Sequence, residues 1–503
     1  MTEFQTILTV DFIMNKIDDQ SSAEARNREP VCTAPAGRLS ERYLITLMVL
    51  TGILMSVVDG SVVSIALPTI TRYFQVDVAR SQWVITGYLV SMTSLLLVFG
   101  RISELTGKMR LFISGMALFT ASSLACGLSS SLDQLIIFRI SQAIGAAMMF
   151  SISSAIIFQT FPKEEKGRAM GYVGSTAAVG SILGPIIGGI IVDFLGWNYI
   201  FLINVPIGAA IMILSLRFLR APEARCRRLN MDWMGAGMLI IFMISLMLFL
   251  GQLAENLGLT SPSAISGAIF LIALLAFLKN ESKHRAPLLD LSIFKIKNFV
   301  LPVIGMIAFI ISNFMIMITG PFYLEGVLGY SPSRVGLVFL IVPAITVFGS
   351  PLAGWLYDRY HWRYYSALGM ALMAAVMISM GFMSRRIDQT IDQTLILLSL
   401  IPLGIGSALF QSPNNTEIMK SLPCEKLGTA SSVRATVVCL GMALGVSISS
   451  ILVSVQLSWA GLKGPMIDVG PGMLTVMISN IIIISGLLCL AGTVVLLPRS
   501  PNC

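Results

Sequence analysis

Charge is what this sequence has least of. Only 12% of its 503 residues are Asp, Glu, Lys or Arg, about half the share of a soluble domain. With 55% hydrophobic residues and a mean hydropathy of +0.83, too little polar surface remains to clothe a water-facing body. Histidine is nearly absent, with His284 and His361 alone. The seven cysteines (32, 126, 226, 424, 439, 489 and 503) form no CxxC pair. That excludes a zinc site, a His-based metal site and a disulfide framework, so no metal and no cofactor is expected. A G-x-x-x-x-G-K-[ST] phosphate loop is also missing, since Gly-Lys occurs once, at Gly107–Lys108, without the upstream glycine. No large soluble domain is present to hydrolyse ATP. An enzyme is therefore not expected, and any work the chain performs must draw on an ion gradient.

What the sequence has in abundance is apolar runs. Beyond a polar stretch at 1–42, read as a cytoplasmic tail with Met1 and Met14 both open as the start, runs of about 20 residues recur. Fourteen are expected, at 43–68, 81–101, 110–128, 134–158, 168–192, 199–219, 233–252, 262–279, 299–321, 333–356, 363–383, 394–412, 431–456 and 473–496. Each is long enough to cross a bilayer as a helix, so the lipid bilayer is the solvent. The formal charge of +8 is topological and calls for no nucleic-acid partner. With the N-terminus inside, 26 of the 34 Lys and Arg fall in cytoplasmic segments and six in outer loops, while Arg139 and Arg434 lie within runs. That imbalance places both termini in the cytoplasm of a cell (plasma or inner) membrane.

The chain also repeats itself. FPKEEKGRA (161–169) matches LPCEKLGTA (422–430) at an offset of 261, through Pro162 with Pro423, Glu164 with Glu425, Gly167 with Gly428 and Ala169 with Ala430. Gly180 and Gly184 meet Gly441 and Gly445 at the same offset. An offset of 254 brings Gly100 onto Gly354, Glu104 onto Asp358 and Asp59 onto Asn313. The implied plan is a bundle of six helices at 43–220, two inserted helices with linkers at 221–298, a second six-helix bundle at 299–497 and a short tail at 498–503. Repeats of this kind around a central cavity are a transporter architecture.

Four motifs carry chemistry. Asp59, in VVDGSVVSIALPTI (57–70), is the one acid deep inside a run. A carboxylate there costs about 2.5–3.5 kcal/mol, so it faces a cavity or a partner and is a functional candidate. Arg139, in LIIFRISQAIGAA (135–147), needs a partner too, and Asp59 is the natural one; the plainer alternative is a side chain snorkelling to the outer surface. In GRISELTGKMR (100–110), Gly100 and Gly107 permit a tight turn. In GSILGPIIGGII (180–191), Gly180, Gly184 and Gly188 share a helix face, with Pro185 as a kink and Gly189 in register.

Together these resemble the major facilitator superfamily, and within it the fourteen-span drug:proton antiporters, over residues 43–496. The fold this implies is an all-α integral membrane protein of two six-helix bundles plus two inserted helices. The resemblance implies proton coupling by Asp59 and Arg139. It implies a cytoplasmic gate of Gly100, Glu104, Gly107, Lys108 and Arg110 in the first half, and of Gly354, Asp358 and Arg359 in the second. Glu104 stands where the family has Asp, and Leu105 where it has Arg. The helix-5 glycines with Pro185 and Gly189 imply export. Gln142, Asn313 and Met317 are candidate cavity residues, in a lining that Met148, Met149 and Met315 make adaptable. The partners expected are a small-molecule substrate, a lipophilic monocation or neutral amphiphile, together with protons. The chain is expected to be a monomer, with a periplasmic adaptor only in a two-membrane cell. An exporter dedicated to one metabolite, antibiotic or siderophore, and a transport-inactive sensor or scaffold, remain open beside the multidrug reading.

Overall fold

The computed structural model describes residues 39–76, 78–218, 232–256, 260–283, 289–385, 391–460 and 470–497. Most of the expected 1–42 tail, all of the 498–503 tail and parts of the 221–298 linkers lie outside them. Among the described residues there is no strand. The long helices are α1 (Leu39–Phe74), α2 (Trp83–Thr106), α3 (Lys108–Gly127), α4 (Leu132–Thr160), α5 (Lys166–Phe194), α6 (Asn204–Phe218) and α7 (Trp233–Asn256). They continue with α8 (Ser261–Lys283), α9 (Lys297–Gly326), α10 (Ile341–Tyr360), α11 (Tyr365–Ser384), α12 (Ile391–Lys420), α13 (Leu427–Trp459) and α14 (Pro471–Leu496).

Twelve helices among the described residues are long and apolar enough to cross a membrane, against the fourteen runs expected. Two of the long helices stand outside that count. α6 is the C-terminal part of a stretch that breaks at Ile203, leaving a one-turn helix at Tyr199–Leu202 before it. α12 is 30 residues long and its polar run Gln411–Thr416 follows its apolar stretch; it stands outside the twelve because the side chains of residues 391–396 lie outside the described residues. Helix is the form these segments must take, because in lipid every backbone N–H and C=O needs a partner within its own segment.

Turn chemistry sets the boundaries. Gly107 sits at φ +99 between α2 and α3, a conformation that a side chain strongly disfavours. Ser131 caps α4 by accepting from the Gln134 backbone N–H. Pro162 and Pro423 each open a single 3-10 turn, Lys163–Glu165 and Cys424–Lys426, that leads directly into α5 and α13. The 261-residue repeat is thus a repeated helix entry.

Packing follows the duplicated pattern. α1 lies on α5, and α4 packs on α2 and α3; in the second half α9 lies on α13, and α12 packs on α10 and α11. Between the two sets, α2 and α4 meet α13, while α5 meets α10 and α12. α7 and α8 pack on each other, and α7 also touches both α2 and α13. The inserted pair therefore lies over the seam between the halves.

Candidate functional site

The two charges that the sequence buries in opposite helices meet. Arg139 is 0% exposed and Asp59 3%. The guanidinium Nη1 of Arg139 donates to Asp59 Oδ2 at 2.5 Å. Snorkelling is therefore not what Arg139 does. Its Nε donates to the carbonyl of Val84 on α2 at 3.2 Å, and its Nη1 also reaches Gln142 Oε1 at 2.8 Å. The Tyr88 ring lies 4.1 Å from its Cζ, and Phe201 5.6 Å, a stacking that suits a planar cation.

The other carboxylate oxygen is held by amides. Gln142 Nε2 donates to Asp59 Oδ1 at 3.0 Å, and Asn204 Nδ2 donates to the same atom at 3.2 Å. Gln142 Nε2 also donates to Ser123 Oγ at 2.6 Å. One carboxylate thus ties α1 to α4 and α6, and through Arg139 to α2. Hydrogen bonds to a charged group are the strong ones, and removing one partner of such a buried pair costs about 3–5 kcal/mol. A group bound this way can exchange its guanidinium partner for a proton only if the helices carrying them shift. Among the described residues, Arg139 Nη2 and the Tyr88 hydroxyl are buried without a hydrogen-bond partner, so the network has spare donors.

A second constellation closes the opposite end of the bundle, where the basic loops lie. Glu104, near the end of α2, accepts from the Thr429 backbone N–H at 3.0 Å and from the Thr429 hydroxyl at 2.6 Å. Thr429 is in the first turn of α13, in the other half. Arg101 donates to the free oxygen of Glu104 at 2.8 Å. The repeat supplies the mirror arrangement: Asp358, near the end of α10, accepts from the backbone N–H groups of Gly167 at 2.8 Å and Arg168 at 2.9 Å. These lie in the first turn of α5. Each acid therefore caps the open N-terminus of a helix belonging to the opposite half, where orphan N–H groups and the helix dipole favour negative charge.

Glycines make these approaches feasible. A Cβ on Gly354 would stand 2.2 Å from the Gly167 carbonyl oxygen, and one on Gly100 would stand 2.1 Å from Ser432 Oγ. Gly100 thus serves backbone approach inside α2, and the turn expected of it belongs to Gly107 alone. In α5, Gly180, Gly184 and Gly188 press on Val57, Ser61 and Val62 of α1, whereas a Cβ on Gly189 would meet nothing within 4 Å. α5 runs as continuous helix through Pro185.

The remaining expected residues are placed less centrally. Gln142 belongs to the Asp59 network and is fully buried. Asn313 donates to the Phe309 carbonyl one turn earlier in its own helix, and Met317 is 51% exposed. Arg110 is exposed, and Arg359 packs beside Trp355 and Tyr360 of its own helix. Lys108 opens α3 beside the Gly107 turn. Asn204 was missed by sequence reasoning: it lies in WNYIFLINVPIG, where an amide in an apolar segment was the only signal. Among the described residues no cluster of His, Cys, Asp and Glu fit for a metal exists.

The family model described as Major Facilitator Superfamily matches residues 49–230 and 227–446. The chain is 32% identical to the riboflavin transporter RibZ of Clostridioides difficile strain 630 over 82% of this chain and 88% of the relative. It is 30% identical to the multidrug resistance protein Stp of Mycobacterium tuberculosis, over 81% of this chain and 74% of the relative. Among solved structures, the proton:xylose symporter XylE superposes with a TM-score of 0.58 at 16% identity, covering 89% of this chain and 95% of the other. At that identity the likeness is one of fold.

Proposed function

The chain belongs to the major facilitator superfamily, and from that premise we propose that it exports small organic molecules in exchange for protons. It is a multi-pass membrane transporter and not an enzyme. The finer reading rests on one observation: a carboxylate, 3% exposed, held by a guanidinium and two amides from two other helices. A carboxylate so deep is costly unless it works, and a lone acid suits a proton better than a metal cation that wants several oxygen ligands.

The positive-inside imbalance assigns the basic end to the cytoplasm. With Glu104 and Asp358 both engaged across the seam, the cytoplasmic end is shut in this conformation. A proton entering from outside then competes with Arg139 for Asp59. Winning it frees Arg139 and loosens α1 from α4, which favours the state open to the cytoplasm. Proton release inside restores the pair and resets the carrier. For the substrate, neutral amphiphiles fit this account. A permanent cation would meet the buried Arg434 in the same seam, so that half of the sequence expectation is not carried forward. A carrier dedicated to a single metabolite is the second reading, favoured by the 32% identity to RibZ.

Purified protein in liposomes with trapped pyranine tests both, with riboflavin and the neutral amphiphile chloramphenicol as trial substrates. Wild type is expected to move protons when either substrate is supplied; Asp59→Asn is expected to keep downhill substrate exchange and lose proton movement. Substrate-driven proton flux persisting at the wild-type rate in Asp59→Asn removes Asp59 from the mechanism.

A further inference from the structure

Arg434 is the second buried arginine, and unlike Arg139 it has no counter-ion among the described residues. It lies two turns into α13 and is 5% exposed. Among the described residues it joins no ion pair and donates no hydrogen bond, and its Nε is shut off from any partner. The nearest aromatic surface is Phe150 on α4, with the ring centroid 6.0 Å from Cζ. Ser154, one turn on from Phe150 along α4, and Ser431, in α13 beside Arg434's own turn, are also buried with hydroxyls that have no partner.

The acids that an arginine here would recruit are committed elsewhere. Asp59 holds Arg139, Glu104 holds Arg101 and the start of α13, Asp358 holds the start of α5, and Asp290 holds Lys426. A guanidinium at this depth without a counter-charge is costly, and such residues mark substrate or ion pathways. Its position sharpens the point. Thr429 and Ser432 on the same helix make the closing contacts with Glu104 and Gly100 of α2, so shutting the cytoplasmic end is what buries Arg434. A solute carrying negative charge would neutralise it as the seam closes.

We propose that Arg434 recognises an anionic group, a carboxylate, phenolate or sulfonate, on the transported amphiphile, with Phe150 against its apolar part. This rests on the export reading above and extends its substrate class from neutral amphiphiles to those that carry an anionic group. It also gives closure a direction: the loaded seam shuts more readily than the empty one.

Two xanthene dyes of the same ring frame and opposite charge, fluorescein and rhodamine 6G, are the probes. Their binding to the full chain in lipid nanodiscs is read by fluorescence polarisation and by the shift in thermal stability. Wild type is expected to bind fluorescein, and Arg434→Met to bind it about 10- to 100-fold more weakly, as loss of a charge-assisted hydrogen bond implies. Arg434→Lys is expected to recover part of that loss. Without ligand, Arg434→Met is expected to melt no lower than wild type, because it removes a buried unpaired charge; a lower melting temperature would show a structural role and overturn the proposal. Equal fluorescein affinity in wild type and Arg434→Met, rhodamine 6G binding that outranks fluorescein, or an equal Arg434-dependent shift from sodium chloride alone would each overturn it as well. Because these are binding measurements, Arg434-dependent binding with no proton exchange in liposomes would defeat the export reading and leave this one standing.

Discussion

At the scale of single residues, the Asp59 network separates what side-chain chemistry announces from what it conceals. Asp59 and Arg139 were legible because a charge inside an apolar run is rare and costly, and two such charges of opposite sign in one half point to each other. Asn204 was not legible, because an amide needs only a hydrogen bond and nothing about its neighbours says where that bond goes. Asn204→Leu is therefore an informative variant. It keeps the size of the side chain and removes one of the donors to Asp59, a hydrogen bond to a charged group worth about 1.5–3 kcal/mol. The expected outcome is a fall in melting temperature together with proton-coupled transport reduced by roughly tenfold or more. Asn204→Leu with unchanged coupling would show that the amide is packing only. Arg434 taught the opposite lesson: it was visible as a helix-embedded charge, yet its lack of a partner is a property of the folded seam that no linear reading contains.

At the scale of helices, the reciprocal caps are the clearest product of the internal repeat. Glu104 reaches across the halves to α13, and Asp358, its match at the 254-residue offset, reaches across to α5. Their acceptor roles were readable, whereas their donors were not, because those are largely backbone N–H groups at the starts of α5 and α13, and the backbone is the same at every residue. Capping charges of this kind contribute about 0.3–1 kcal/mol, up to about 2 when partly buried. Glu104→Gln and Asp358→Asn should each shift the carrier toward the state open at the basic end, by roughly fivefold per kcal/mol lost, and the double variant should shift it further. The measurement is labelling of Cys introduced at Ser350, which is 0% exposed, by a membrane-impermeant maleimide applied from the basic side, in a background lacking other reactive cysteines. Faster labelling in both variants is expected; no change in either would deny the caps a gating role. A third contact at the same end behaves differently. Asp290 accepts from Lys426 at 2.6 Å, and that hydrogen bond holds the Asp290 carboxyl down to about 2. A depressed carboxyl contributes its stability above its ordinary range near 4 and loses it only as pH falls toward 2. At any working pH this exposed pair is intact, and exposed pairs are worth little. It is a tether and not a pH sensor.

At the scale of the whole molecule, the two halves meet along two seams that the repeat makes equivalent, α2 with α13 and α5 with α10. Length and hydropathy were enough to read the helices, and the offsets were enough to pair them. What they left unread was the inserted pair, because nothing in an apolar hairpin says which groove it covers. α7 sits over the α2–α13 seam and touches both sides, with Ser447 of α13 donating to the Leu250 carbonyl at 3.2 Å. The α5–α10 seam has no such cover from α7, so it is the better place to test whether the halves must separate. There Ser175 of α5 donates to the Val347 carbonyl of α10 at 2.6 Å, and a Cβ on Gly171 one turn earlier would stand 2.6 Å from Pro351 Cα. Backbones this close cannot part while bridged. A Ser175→Cys, Val347→Cys pair, oxidised in the membrane, is expected to trap the basic end shut and stop transport, and reduction is expected to restore it. The single cysteine variants should transport under both conditions. Unimpaired transport by the bridged protein would mean that solute crosses without the two bundles moving apart at this seam, and the reading of Glu104 and Asp358 as a latch would fall with it.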